Sequence, residues 1–354
     1  MREATMPSQS PDPDRTPAVV TRDLVKVYRV PASLRRQARQ VHGRALPEAS
    51  PALNGLDLEV RPGEVYGVLG PNGAGKTTLM KVLGTILLPD AGDARVFGED
   101  VRHAGPALRS RIGIVLGEYE RSFHWRLTGR QNLRFFADFY GLPRNEVTRR
   151  IEDVLDEVGL GSVGDDMFNT YSTGMKHRLA LARGLLPDPD LLILDEPTAG
   201  LDAHSSGQIA EAVRARANVG TTVLYTTHRI HEAGVLCDRI LVLDRGRAVA
   251  EASPDELALL ARGNQVVEVT KRGGGPWERD FVAPLAERPE VIDWETRGDR
   301  LLFYTRNEPE PLAGFVSELR RLGRETLSIT VRPPSVEDAF IALIDKRRKE
   351  EART

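Results

Sequence analysis

Apolar, largely β-branched positions recur among polar ones through VVTRDLVKVYRV at 19–30, which predicts a first strand segment ending near Tyr28. Three denser apolar runs follow, GEVYGVLG, LLILDE and TVLYTTH, the pattern of strands covered on both faces. Helical spacing fills the gaps: KTTLMKVLGTILL comes after the first run, and a helical middle extends from about 129 to 186. Buried strands alternating with helices predict an α/β fold, a mainly parallel sheet with a helical subdomain beside it. A last strand-like run, RILVLDRGRAVAE, leads into SPDELALLARG, a helix capped by Ser253, and the domain boundary is placed there, between 252 and 253.

Beyond that boundary the pattern changes. QVVEVTK, VIDWETRGDRLLFYTRN and TLSITV read as strands, and EPLAGFVSELRRLG and SVEDAFIALIDK as helices, which predicts a small α+β domain over 253–345. Ser335 followed three residues later by Asp338 is a capping-box start for the closing helix, GGGP at 273–276 is a loop, and 346–354 is a charged tail. At the other end, residues 1–17 are rich in Pro, Ser and Asp and predict a flexible tail. Residues 29–50 interrupt the strand pattern with Arg29, Arg35, Arg36, Arg39, His42 and Arg44, while Leu34, Ala38 and Val41 fall at helical spacing; they predict a basic insertion between two strands.

Composition narrows the function classes. The chain has 354 residues, 40% of them apolar and 28% charged, enough for about two domains with their own cores. No apolar run approaches the roughly 18 residues that cross a bilayer, and the first residues hold no signal-peptide core, so a cytoplasmic protein is expected. A net charge of −2 argues against a nucleic-acid binder, and no such partner is expected. The lone Cys237 has no intrachain partner and fits a small buried side chain.

The chemistry lies in three strand ends. GPNGAGKT fits G-x-x-x-x-G-K-[ST] between a buried strand and a helix start. Gly70, Pro71, Asn72, Gly73, Ala74, Gly75, Lys76, Thr77 and Thr78 form the candidate phosphate loop. Its backbone N–H groups can curl around phosphate oxygens, Lys76 can reach the β- and γ-phosphates, and Thr77 can ligate Mg²⁺. LLILDE ends in Asp195, a candidate Mg²⁺ ligand, and Glu196, the candidate general base for an attacking water. His228 ends the next strand at the same sheet edge, where it can hydrogen-bond the γ-phosphate; with no further His or Cys at zinc spacing, a zinc pair with His231 is rejected. Ser172, Thr173 and Gly174 open the helix of YSTGMKHRLALARGLL, an N-cap whose free N–H groups also suit an anion.

Taken in order, GPNGAGKT, YSTGMK, LLILDE, AGLD at 199–202 and His228 resemble the ATP-binding cassette (ABC) ATPases across residues 18–250. Ser172 lies 96 positions after Lys76 and Glu196 lies 24 beyond Ser172, similar to the family's layout. The resemblance implies a P-loop NTPase fold, ATP and Mg²⁺ as cofactors, and ATPase activity. It implies that Tyr28 stacks on adenine, that Ser172, Thr173, Gly174 and Met175 contact the γ-phosphate held by a second cassette, and that Asp202 links the two sites of a head-to-tail dimer. With one phosphate loop and one signature, a complete site needs another cassette, in a homodimer or a heterodimer. Met175 stands where the family's signature has Gln, and Gly117–Glu118 where it has a glutamine; Glu118 is the candidate sensor of Mg²⁺ or the attacking water.

WRLTGRQNLRFFA and TVRPPSVEDAFIALI resemble the drug- and antibiotic-resistance exporter branch, the daunorubicin-resistance type. That likeness implies an exporter subunit working with separate integral-membrane permease subunits, peripheral on the inner face of the cell membrane. Phe123 and Trp125 are candidates for the permease groove, with burial in the helical subdomain as the other reading, and residues 29–45 for contact with anionic lipid. The alternative is a soluble ABC ATPase acting on a macromolecular assembly. The short gap between phosphate loop and signature, and the single cassette, weigh against it.

Overall fold

The computed structural model describes residues 16–29, 32–33, 35–36, 49–117, 119–263, 265–271, 277–306, 309–323 and 327–351. Most of the basic insertion, Glu118, the GGGP loop and residues 1–15 lie outside the described residues. The chain divides into two compact units, one of residues up to 228 with 243–248, the other of 229–242 with 249 onward. Residues 229–242 thus group with the C-terminal part, whereas the pattern of the sequence places the cut at 253.

In the first unit, β1 (Val19–Arg29) pairs with β2 (Ala49–Val60), and the run of buried Val19, Thr21 and Leu24 on β1 marks the face it hides. β3 (Val65–Leu69) leads through the phosphate loop into α1 (Lys76–Leu83). The helix stops at Gly84 and Thr85 turns left-handed at φ 58°, so GTILL is a turn rather than the predicted continuation. Both Ile86 and Leu88 are left exposed. β4 (Ala91–Val96) pairs antiparallel with β1, and β5 (Glu99–Asp100) closes this sheet, ordered β2-β1-β4-β5.

After α2 (Pro106–Ser110) and β6 (Ile112–Val115) come the helices of the predicted middle, α3 (Gly129–Phe139), α4 (Arg144–Glu157) and α5 (Thr173–Leu185). Thr128 and Gln131 form a reciprocal capping box at the start of α3. Asn132 is fully buried, accepts from the His124 N–H at 2.8 Å and donates to the carbonyls of His124 and Thr128, which pins the preceding loop. Phe123 packs there against Phe136 and Phe168, with the Arg183 guanidinium over two of the three rings.

β7 (Leu191–Asp195), α6 (Ala203–Asn218) and β8 (Thr222–Thr227) complete the parallel core, ordered β6-β7-β8-β3 with every residue of β3, β7 and β8 buried. These are the strands the apolar runs predict. The carboxyl ends of β3, β7 and β8 lie side by side, because Leu69 pairs with Thr227 and Asp195 with Thr226. That register brings the phosphate loop, the Asp195–Glu196 pair and His228 to one edge, the usual ligand crevice of such sheets.

The second unit opens with α7 (Ile230–Leu236) and the start of β9 (Arg239–Asp244); β9 and β10 (Arg247–Ala252) form a hairpin whose turn at Arg245 and Gly246, both at positive φ, groups with the first unit. RILVLDRGRAVAE is therefore two strands rather than one. Then come α8 (Pro254–Ala258), capped by Ser253 as expected, β11 (Gln265–Lys271), α9 (Arg279–Ala286), β12 (Val291–Arg297), β13 (Arg300–Thr305), α10 (Pro309–Gly323), β14 (Leu327–Arg332) and α11 (Val336–Glu351). The four strands form an antiparallel sheet ordered β12-β13-β11-β14. One face carries Val267, Val269, Leu301 and Phe303 against Val282 and Leu285 of α9 and Phe315 and Leu319 of α10. Fully burying each such side chain contributes about 1.5–3 kcal/mol.

The opposite face carries a smaller buried cluster, Val266, Leu302 and Tyr304, and the Tyr304 hydroxyl leads into a charged group with Arg297 and Glu295. Asp338, at the start of α11, accepts from Arg332 Nη1 and Ser335 Oγ at 2.7 Å each and lies 3.1 Å from Arg297. Burial pushes its carboxyl up, but the hydrogen bonds from Arg332 and Ser335 outweigh burial and hold its pKa below the usual 3.8. The helix runs on through Glu351, so KRRKEE is helical rather than the start of a tail.

Candidate active site

Sequence and backbone shape the phosphate loop together. Gly75 is the N-cap of α1 at φ 110°, and a Cβ there would lie 2.2 Å from the Ala52 carbonyl, so glycine is required twice over. Gly70 is as confined: a Cβ would lie 2.3 Å from the Leu243 carbonyl. No side chain caps α1, which leaves its first N–H groups and the positive end of its dipole for a ligand. They face an open cleft of about 290 Å³ lined by Ala52, the loop from Asn72 to Thr78, and Glu196.

The side chains converge as the spacing predicts. Buried Lys76 donates from Nζ to Gly70 O at 2.8 Å and to Pro71 O at 3.3 Å, and pairs with Glu196 Oε1 at 3.3 Å. Thr77 Oγ1 donates to Asp195 Oδ2 at 2.7 Å, and His228 Nδ1 lies 3.1 Å from Glu196 Oε2. Tyr28 is 44% exposed, with its hydroxyl 3.5 Å from Thr78 Oγ1, which leaves its ring open for stacking beside the loop. The Thr77 hydroxyl and Asp195 carboxylate are hard oxygen donors of the kind Mg²⁺ takes together with substrate phosphates. Among the described residues no group of three His, Cys, Asp or Glu side chains forms a metal site of its own.

Thr226 belongs to the site and was not picked out from the sequence. Fully buried, it donates from Oγ1 to Asp195 Oδ1 at 2.6 Å and accepts from the Glu196 N–H at 3.0 Å. The same N–H reaches Thr226 O at 3.1 Å. Glu196 needs this support, because it sits at φ 49°, a conformation that costs a non-glycine residue about 1–3 kcal/mol. The only signal in the sequence was a pair of threonines before His228.

The signature lies elsewhere on the unit's surface. Ser172 caps α5, accepting from the Met175 N–H at 3.2 Å, and it is exposed, as is Thr173. Neither Ser172 nor Gly174 lines the cleft around Lys76. Tyr171, just before the cap, donates to Val163 O at 2.8 Å, and burial pushes its hydroxyl up to about 12. Asp202 caps α6 by accepting from the Ser205 N–H at 2.8 Å, and that backbone donor is the main cause of its lowered pKa. Of the two groove candidates, Phe123 is buried while Trp125 is 59% exposed with Arg126 over its ring. Glu118 lies outside the described residues.

Parallel strand ends, a phosphate loop and a paired acid define a nucleoside-triphosphate-hydrolysing core. A family model described as ABC transporter matches residues 53–199. The chain is 40% identical over 302 residues to the daunorubicin resistance ATP-binding protein DrrA3 of Streptomyces coeruleorubidus, covering 85% of this chain and 94% of that one. It is 37% identical over 317 residues to the Nod factor export ATP-binding protein I of Cupriavidus metallidurans, covering 89% and 98%. Of solved structures, cbiO1 of Clostridium perfringens, part of the ABC transporter complex cbiONQ, matches with a TM-score of 0.58 at 28% identity, over 69% of this chain and 91% of that one. The dimeric post-hydrolysis state of the ATP-binding cassette MJ0796, bound to ADP and Pi, matches in fold with a TM-score of 0.57 at 23% identity, over 66% and 98%. The chain therefore belongs to the family of ABC transporter ATP-binding proteins, and it is an ATPase.

Proposed function

We propose that this protein is the ATP-binding and hydrolysing subunit of a bacterial exporter, working as a head-to-tail dimer against separate membrane permease subunits. The observation that carries the reading is the split of the ATPase machinery: Lys76, Thr77, Asp195, Glu196 and His228 converge, while Ser172 and Gly174 lie outside the cleft. A second cassette, of the same chain or a related one, supplies the missing half. The names of the relatives, daunorubicin resistance and Nod factor export, support export as the work done.

In this mechanism the phosphate loop and the Lys76 ammonium hold the β- and γ-phosphates, and Tyr28 holds adenine. Lys76 is engaged with Glu196 at 3.3 Å, so an arriving γ-phosphate competes for the ammonium and frees the carboxylate. Glu196 then takes a proton from the attacking water as its oxygen bonds to the γ-phosphorus and the bond to the β-phosphate oxygen breaks, releasing ADP and phosphate. His228, within hydrogen-bond reach of Glu196, orients that carboxylate and the γ-phosphate. Thr77 and Asp195 would hold Mg²⁺, which neutralises phosphate charge when bound. The partner's signature helix adds N–H donors and a favourable dipole, so ATP favours the closed dimer and its hydrolysis releases it.

For the permease we propose the apolar depression of about 410 Å³ between Gly84–Ile86, Pro106–Ile114 and Phe139–Tyr140, with exposed Phe139 and Ile86 at its rim. Exposed Trp125 is proposed to join that contact, and residues 29–45 to touch anionic lipid beside it. Glu118 is proposed to sense Mg²⁺ or the attacking water. No helix among the described residues is long and apolar enough to cross a membrane, which is consistent with a peripheral, cytoplasmic subunit. The test is Glu196→Gln: it should bind ATP, lose turnover and accumulate as an ATP-bound dimer in size-exclusion chromatography. Turnover at the normal rate, or a monomer with ATP bound, would refute it.

A further inference from the structure

Helix α5 does more than present Ser172. One turn beyond the cap, His177 is buried with Nδ1 2.7 Å from the carbonyl oxygen of Pro197. A carbonyl can only accept, so the proton of this contact sits on Nδ1, which fixes the donor end of the ring. Pro197 is bonded directly to Glu196, the residue held at φ 49°. Because the pyrrolidine ring fixes its own φ, anchoring the Pro197 carbonyl leaves few torsions through which the Glu196 carboxylate can drift.

A second contact ties the same two segments. A Cβ at Gly174 would lie 2.7 Å from Ser205 Oγ, so the signature helix lies directly against Ser205. Ser205 in turn donates to the Asp202 carboxylate from N at 2.8 Å and from Oγ at 3.2 Å. The helix bearing Ser172 and Gly174 is thus held at two points against the stretch 196–205, which carries Glu196 and Asp202. Thr226 grips Glu196 through its N–H on one side, and His177 grips the next residue on the other.

We infer that His177 is a positioning residue for Glu196, tying the base of one ATP site to the helix that faces the other. The inference rests on the reading of Glu196 as the base. It requires a donor at the place of Nδ1, whereas a packing role requires only bulk. An asparagine amide puts its N–H near that place, while leucine supplies bulk alone.

The experiment measures ATP turnover and thermal midpoint for the full chain, Glu196→Gln, His177→Leu and His177→Asn. Glu196→Gln should lose turnover. His177→Leu should lower kcat about tenfold with KM for ATP little changed, since an undirected base is felt in the transition state more than in binding. His177→Asn should bring kcat back to within about threefold of the parent chain, as expected where the donor is restored. Equal kcat in the Leu and Asn variants, or a loss confined to KM, overturns the inference while leaving the catalytic reading intact. Undiminished turnover in Glu196→Gln overturns both. Should His177→Leu fail to fold, His177→Gln, whose amide reaches one bond farther, replaces it; a kcat matching that of Asn then overturns the inference.

Discussion

Replacing Thr226 by valine removes one oxygen from the centre of the site and almost nothing else. The hydroxyl donates to the Asp195 carboxylate at 2.6 Å and receives the Glu196 N–H at 3.0 Å. The N–H keeps its bond to Thr226 O at 3.1 Å, so the net loss is chiefly the donor to the carboxylate. Hydrogen bonds to carboxylates contribute about 1.5–3 kcal/mol, and Thr226 and Asp195 are both buried, so water cannot replace the donor. A loss of about 2 kcal/mol lowers the midpoint of a unit this size by about 4–8 °C. Because Asp195 then loses a fixed orientation and the strained Glu196 loses a brace, kcat should fall about tenfold as well. Differential scanning calorimetry and a phosphate-release assay on Thr226→Val and Thr226→Ser provide the comparison, with serine close to the parent. A valine variant as stable and active as the serine one would refute the reasoning.

Other expectations follow from the same geometry. Gly75→Ala puts a Cβ 2.2 Å from the Ala52 carbonyl at a φ of 110°, so it should distort the loop and abolish ATP binding in a fluorescent-nucleotide titration. Lys76→Ala should weaken nucleotide binding itself, read as a raised Kd in calorimetric titration. Asp338 has its folded pKa held below 3.8, so it contributes stability that is present above the unfolded value and lost as pH falls through the folded one. Chemical denaturation of the chain should therefore show a stability decline below about pH 4 that Asp338→Asn flattens. Trp125→Ala and Phe139→Ala should reduce recovery of the permease in co-purification from membranes without altering ATP binding.

The parallel core was readable in advance because strands buried on both faces leave uninterrupted apolar runs such as LLILDE and TVLYTTH, and the phosphate loop because its glycines answer a local backbone demand. β2 and α9 were not anticipated. ASPALNGLDLEV is interrupted by Pro, Gly and Asn, and α9 carries Pro284 inside a short helix held by packing against the sheet. Thr226 and His177 were missed for another reason: each acts through a contact across the fold, to Asp195 and to Pro197, and a side chain's distant partner leaves no mark in its own neighbourhood. Phe123 and Trp125 stand two positions apart yet part company, one under Arg183 in the aromatic cluster and the other at the surface.

The central claim is that each ATP site is completed by the signature of a second cassette, and mixing two inactive variants tests it directly for the chain paired with a second copy of itself. Lys76→Ala spoils the phosphate loop and Ser172→Arg the signature, so each chain alone should be nearly inactive. In a mixed head-to-tail dimer, one site combines both lesions and the other is intact. The account predicts that mixing restores ATP turnover to roughly a quarter of the parent rate under random pairing. A mixture no more active than the sum of its parts would contradict it.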